Sequence, residues 1–389
     1  MTKLKNEVTS LESKKTSRRK FFKAAAATGA VAAASLAMPN ISVAQTAVTL
    51  KMQSAWGPAD ADPFFTMNKQ YAQKVEALSN GTLKIEVLPI GAVLKTAEIA
   101  DGVSTGVVDA CHTVTAYWYG KNAASSLFGT GPSYGFSSQE LMGWIAYGGG
   151  RALYEETLKA AKLDYVGFFA MPMPAQPFGW FKKELKSLAD IKGLKYRTVG
   201  LATNVLQGIG MTVLQLPGGE IQPAMKTGLI DAAEFNNPSS DRNFGMQDVS
   251  KFYSLGSFHQ SQEMFEIAFN RKKFDSLSKH HQNILRIAAE AANTDNYWYA
   301  LKRYSDDLNK LVAESGVKPF ATPKDILAEQ MKSWDKVIAD FSAKDPLFKK
   351  IVDSQKAYAK SVMKYLLLNQ PDYSIAFRNT FGDPANVKI

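Results

Sequence analysis

The chain has 389 residues, with 46 Lys and Arg against 36 Asp and Glu, a formal net charge of +10 and one cysteine. The length supports two medium domains with cores of their own, and a single cysteine excludes an intrachain disulfide. The basic balance invites a nucleic-acid reading. Eight Lys and Arg and only two acids, however, fall in the first 44 residues, so the remaining 345 carry about +4 with no dense basic run, which removes that partner class.

Those first 44 residues read as an export signal. Ser17-Arg18-Arg19-Lys20-Phe21-Phe22-Lys23 is a twin-arginine block, residues 24–38 are an Ala-rich apolar run, and Ser42-Val43-Ala44 offers small residues for cleavage before Gln45. The apolar run is too short for a bilayer span and no later run reaches spanning length. The expected location is the periplasm, with no membrane insertion. A strand is predicted over 48–53, a helix over 62–78, a turn at Asn80-Gly81, a strand over 83–88, a helix over 97–105 and a strand over 107–113. This alternation indicates an α/β layer with a mainly parallel sheet. A helical stretch over 139–161 and an apolar strand over 165–171 follow. Met171-Pro172-Met173-Pro174 cannot continue a helix and is a candidate crossover between domains. A second α/β set runs from Trp180-Phe181 to a strand over 232–235. From about residue 275 helices dominate, over 277–313, 323–341 and 346–368.

Enzyme signatures are scarce. The sequence has no GxSxG elbow, no HExxH and no phosphate-binding P-loop. Gly148-Gly149-Gly150 lacks the strand-to-helix setting of a phosphate cradle and reads as a kink or a close helix contact. His280-His281 opens a polar helix and reads as solvated surface. Cys111, in an apolar run, reads as an inert buried thiol. Three polar residues are less easily assigned to structure alone. Arg197 lies in a strand-like run, Glu234 closes an apolar run, and Gln176 sits in a Pro-bounded loop. All three fall at strand ends or entries, where open α/β sheets place ligands. Arg is suited to a small carboxylate because its planar fork binds both oxygens; the competing reading of Arg197 is a surface salt bridge.

With these residues in view, the chain resembles the DctP-like solute-binding proteins of tripartite ATP-independent periplasmic (TRAP) transporters, over residues 48–370. It is most similar to the subgroup binding 2-oxo acids or lactate. The resemblance rests on Asp190-Ile191-Lys192-Gly193-Leu194-Lys195-Tyr196-Arg197, Gly228-Leu229-Ile230-Asp231-Ala232-Ala233-Glu234 and Ala175-Gln176-Pro177-Phe178-Gly179-Trp180-Phe181. It also rests on Gly129-Thr130-Gly131-Pro132-Ser133-Tyr134-Gly135, on Tyr147-Gly148-Gly149-Gly150 and on Phe258-His259-Gln260. It departs from the subgroup at Phe235, where a tryptophan is usual, and at Phe178, which replaces a small residue and would reshape the pocket.

The resemblance implies a two-lobed α/β periplasmic binding-protein fold with mixed sheets, a hinge and a helical C-terminal region. Its segments would be the signal peptide at 1–44, a first lobe at 45–171, a second lobe at 172–258, a return crossing and bridging helix at 259–320, and C-terminal helices at 321–389 that could serve dimerisation. It implies a non-enzymatic receptor that captures a 2-oxo or 2-hydroxy monocarboxylate and passes it to membrane permease subunits. Arg197 would clamp the carboxylate. Gln176, Glu234, the carbonyl of Phe235 and Gln260 would hold Na⁺ or Ca²⁺, since oxygen donors suit hard cations. Trp56, Tyr117, Trp118 and Asn237 would complete the ligand site, against a competing reading of the aromatics as ordinary packing. The alternative class is an exported isomerase or lyase using Glu234 as base.

Overall fold

A computed structural model describes residues 47–57 and 62–384. The twin-arginine segment and its cleavage site lie outside the described residues. Two sheets organise the chain. The first has the order β2 (Leu83–Leu88), β1 (Val48–Ser54), β3 (Ala110–Thr113), β10 (Glu263–Asn270) and β4 (Tyr165–Met173). β1 runs parallel to β2 and β3, while β10 is antiparallel to both β3 and β4. The second has the order β11 (Lys318–Ala321), β9 (Phe252–Leu255), β5 (Gly179–Phe181), β8 (Ala232–Ala233), β6 (Lys195–Arg197) and β7 (Thr212–Leu214). The parallel β1–β2–β3 set follows from the strand–helix–strand alternation, because parallel neighbours need a crossover of helical length. The chain passes between the sheets three times, at 174–178, at 256–262 and along a helix over Lys279–Ser315.

That 37-residue helix starts at Ser278, whose hydroxyl accepts from His281 N, and stops at Gly316 in the left-handed region (φ 65°). At 1.5 Å per residue it extends about 55 Å. This lets it touch β4 and the helix Pro63–Leu78 on one side and the short helix Pro238–Asn243 on the other. The second sheet has a core of its own, Phe178, Phe181, Ile191, Tyr196, Leu206 and neighbours, closed by Ile326 from the helix Lys324–Lys344.

Several expectations need correction. The helical stretch 139–161 is two helices, Ser138–Tyr147 and Gly150–Ala160, broken where Gly149 takes φ 87°. A side chain at Gly148 or Gly150 would meet Trp144 below 3 Å, so the glycines permit close packing as well as the break. In the segment 236–240, Asn237 accepts from Ser239 N and Ser240 N and caps the helix Pro238–Asn243. His281 is buried, with its Nε2 3.0 Å from Thr82 Oγ1. Strand β10 and a last helix, Tyr373–Phe381, were not anticipated, and β11 at the end of the expected 259–320 segment joins the second sheet. Cys111 is buried, as expected.

Candidate ligand-binding site

The polar residues singled out in the sequence meet where the chain crosses between sheets. Arg197 ends β6 and Glu234 directly follows β8. The parallel register of these strands pairs Arg197 with Ala233, so the two side chains emerge side by side at the C-terminal strand ends. Glu234 is approached closely by β5. Gly179 has φ 105°, and a Cβ there would meet the Ala233 carbonyl at 2.2 Å and Glu234 Cα at 3.0 Å, so only glycine fits.

Arg197 is 2 % exposed, which overturns the surface-salt-bridge reading. Its Nε donates to Leu216 O at 2.9 Å, and its Nη1 to Glu234 O at 3.0 Å and Glu234 Oε1 at 3.1 Å. The guanidinium lies over the Phe235 ring, 5.8 Å from its centroid. Burial pushes the Glu234 carboxyl up to about 7, against the opposing pull of Arg197 and of the neighbouring Thr198 hydroxyl. Gln176 N donates to Gln260 O at 3.2 Å, joining the first two crossings. Gln260 Nε2 reaches Thr198 Oγ1 and Val199 O, both at 3.4 Å, and so links back to the Arg197 strand.

Three side-chain oxygens of this group, Gln176 Oε1, Glu234 Oε2 and Gln260 Oε1, are buried without a hydrogen-bond partner. Buried polar atoms are rarely left so, and each needs an explanation. Oxygen donors of this kind, one carboxylate among amides, fit a hard cation. No group of three or more His, Cys, Asp or Glu able to hold a metal ion occurs among the described residues.

Glu263 was not anticipated. It opens β10, where the register with β4 slips: Glu263 pairs with Met173 but Phe265 with Ala170. Such bulges re-aim side chains at sheet ends. Glu263 Oε2 accepts from the Gln176 amide and from Asn236 Nδ2 at 2.5 Å. Burial and the nearby Glu234 charge push its carboxyl up to about 8, with Gln176, Asn236 and Arg197 opposing. An acidic residue entering an otherwise apolar run, Met264-Phe265 before Ile267-Ala268-Phe269, was the available signal.

The aromatic expectations divide. Trp56 packs against Phe64, Phe265 and His112 with ring centroids 5.2, 4.8 and 4.9 Å away, and against Tyr117 at 6.0 Å. Tyr117 is partly buried, close enough to Arg197, Glu263 and Glu234 to feel their charges. Trp118 instead gives its indole N–H to Glu266 Oε2 at 3.1 Å, in a core cluster with Tyr154 and Tyr165. Asn237 uses both ends of its amide on Asn236, Ser239 and Ser240. Phe178 does not reshape the site. Its ring is wholly buried in the core of the second sheet, against Phe181 and Tyr196. Phe235 does face the site, between the guanidinium of Arg197 and the ring of Phe64 at 6.2 Å.

Two close approaches join the first lobe to the second. Tyr119 OH donates to Asn204 Oδ1 at 2.9 Å. A Cβ on Gly200 would meet Ser126 Oγ at 3.0 Å, Thr130 Oγ1 at 3.2 Å and Ala116 Cβ at 3.3 Å.

The family model of the bacterial extracellular solute-binding proteins, family 7 (DctP), matches residues 55–345. The chain belongs to this family. The receptor is 31 % identical over 355 residues to a monocarboxylate 2-oxoacid-binding periplasmic protein of Nostoc, covering 90 % of this chain and 95 % of that one. Its fold matches a TRAP transporter solute-binding protein from Bordetella bronchiseptica, described with copurified calcium and picolinate in a mixed-occupancy dimer. The TM-score is 0.81 at 27 % identity, over 86 % of this chain and 99 % of that one. It also matches a Colwellia psychrerythraea protein with bound calcium and pyruvate (TM-score 0.77, 29 % identity, 86 % and 100 % coverage). A Pseudoalteromonas atlantica protein with bound sodium and pyruvate aligns similarly (TM-score 0.77, 28 % identity, 86 % and 100 % coverage). The receptor therefore has the two-lobed TRAP solute-binding fold. No helix among the described residues is long and apolar enough to cross a membrane.

Proposed function

We propose that the receptor captures a small 2-oxo or 2-hydroxy monocarboxylate together with Na⁺ or Ca²⁺ in the periplasm and delivers it to TRAP membrane subunits. The observation that carries this reading is the buried Arg197 guanidinium beside the three unpartnered oxygens of Gln176, Glu234 and Gln260. A cation held by those oxygens and the Phe235 carbonyl would draw in the 2-oxo or 2-hydroxy oxygen. The ligand carboxylate would take donors of Arg197 not already engaged by Leu216 and Glu234. Tyr117, Trp56 and Phe235 would wall the site and exclude water, which strengthens the charge pairing. The pyruvate complexes of the Colwellia and Pseudoalteromonas proteins support this ligand class.

The role is capture without turnover. The two lobes would close on the ligand about the crossings at 174–178 and 256–262, since Met171–Met173 and Phe252–Leu255, the expected hinges, lie inside β4 and β9, and the closed form would be the one the permease reads. The C-terminal segment 321–389 would pair two copies. Leu367, Leu368, Tyr373, Ile375 and Phe381 are each more than 60 % exposed, an apolar set unusual for a free surface. Native mass spectrometry of freshly purified protein tests the core of this reading: a co-purified monocarboxylate with one cation per chain supports it. A chain that carries neither, and takes up neither on addition of pyruvate with calcium or sodium, contradicts it.

A further inference from the structure

We propose that Glu263 is a positioning residue that fixes the Gln176 amide with its oxygen toward the Arg197–Glu234 site and locks the loop carrying the Phe235 carbonyl. The inference rests on the cation-assisted binding proposed above and identifies what aims its donors.

The argument is one of hydrogen-bond polarity. Glu263 Oε2 receives both Gln176 Nε2 and Asn236 Nδ2. An ionised carboxylate only accepts, and a protonated one keeps one oxygen that only accepts. Asn236 must face Oε2 with its NH₂, because its own Oδ1 is taken by Asn237 Nδ2, and an Oε2 that carries no proton requires the NH₂ end of Gln176 as well. Gln176 Oε1 must then point the other way, and it is indeed the buried unpartnered atom. The same logic runs through the loop. Asn236 Oδ1 accepts from Asn237 Nδ2 at 2.9 Å, and Asn237 Oδ1 accepts from Ser239 N at 3.0 Å and Ser240 N at 2.9 Å. Backbone N–H groups are unambiguous donors. The relay therefore has a fixed donor at the helix Pro238–Asn243 and a fixed acceptor at Glu263, and no amide between them can flip without losing bonds at both faces. Glu263 sits on a strand of the first sheet, Gln176 in the crossing and Asn236 after a strand of the second. One carboxylate thus ties both lobes to the orientation of a cation donor. Partners that orient metal ligands commonly govern affinity at about the 10–100-fold level.

A double-mutant cycle tests this. Calcium affinity is measured by calorimetry at saturating pyruvate for wild type, Glu263→Gln, Gln176→Glu and the combined variant. Glu263→Gln offers an NH₂ where an acceptor is needed, and should weaken calcium by about tenfold or more. Gln176→Glu sets two carboxylates face to face. The combined variant restores one donor and one acceptor in swapped positions, and should bind calcium more tightly than the sum of the single effects allows. Additive effects, or a Glu263→Gln affinity within about twofold of wild type, would overturn the proposal. A readout without cation or ligand accompanies it: the side-chain NH₂ signals of Gln176 in ¹⁵N NMR should move upfield in Glu263→Gln, where the carboxylate acceptor is lost, and unmoved signals would count against the relay. If Glu263→Gln does not fold, Gln176→Glu and the combined variant still decide through calcium affinity: the combined variant should bind more tightly than Gln176→Glu, and equal or weaker binding would overturn the proposal. Wild type that binds no pyruvate with calcium or sodium would sink the functional reading, while the NMR comparison would still judge the relay.

Discussion

Arg197 Nη1 donates both to the main-chain carbonyl of Glu234 at 3.0 Å and to its carboxylate at 3.1 Å, with neither residue more than 2 % exposed. The pair is adjacent because β6 and β8 run parallel in register. Its desolvation makes each partner dependent on the other, since an uncompensated buried charge is costly. Arg197→Ala is expected to weaken pyruvate binding by about 2–5 kcal/mol. Arg197→Lys should recover only part of this, because an ammonium lacks the planar fork. Calorimetry on variants first checked for folding by thermal melting decides the matter. Unchanged affinity in Arg197→Ala would remove the arginine from the site.

Two phenylalanines that look equivalent in the sequence should behave differently. Phe178 fills the core of the second sheet, so Phe178→Ala should cost about 3–5 kcal/mol of stability. A variant such as Phe178→Leu, which keeps the fold, should leave the ligand preference unchanged. Phe235 lies over the Arg197 guanidinium, so Phe235→Leu should alter relative affinities across a panel of 2-oxo acids of increasing chain length. Urea unfolding and competition binding read the two effects separately. A shifted ligand preference in Phe178→Leu would contradict the placement of that ring.

Acid stability should carry the signature of His112. Its ring is buried between Trp56 and Phe265, and burial pushes its pKa down to about 3. Below pH 6.5 the unfolded chain binds a proton there that the folded chain refuses. The contribution of His112 is therefore present above pH 6.5 and lost as pH falls toward 3. His112→Phe should gain on wild type by about 1.4 kcal/mol per pH unit over that window. Comparing the two proteins cancels the buried carboxyls Asp62 and Asp241, raised to about 7 and about 6, whose contributions run the other way and are lost as pH rises. A pH-independent difference in urea midpoints would show that His112 is not held neutral.

The helix Tyr373–Phe381 buries none of its residues, and Tyr373, Ile375 and Phe381 are exposed. Removing residues 370–389 should convert a dimer to a monomer in light scattering with ligand affinity unchanged. A monomeric full-length chain would dispose of the dimer.

Much of the candidate site was legible in the sequence because it lies in short contiguous runs. Arg197 and Glu234 each end a strand-like segment, and Gln176 and Gln260 sit in Pro- or aromatic-marked crossings. What escaped depends on distant pairing. Glu263 is aimed by a bulge against β4, some ninety residues earlier. His281 is buried by Thr82, 199 residues away. The Asn237-Pro238 step, by contrast, was a readable cap: an Asn at the helix start with Pro after it. Phe178 was placed by family departure alone, and its burial against Tyr196 and His259 shows why a residue beside a binding motif need not touch the ligand.

The most direct test of the central claim is calorimetric titration of pyruvate into the receptor after chelation and dialysis, with calcium, with sodium and with neither, followed by NMR of the recovered ligand. Saturable one-to-one binding that needs one of the two cations, with pyruvate returned unchanged, is the expected result. Binding of equal strength without either cation, or conversion of pyruvate, would contradict a cation-assisted carboxylate receptor.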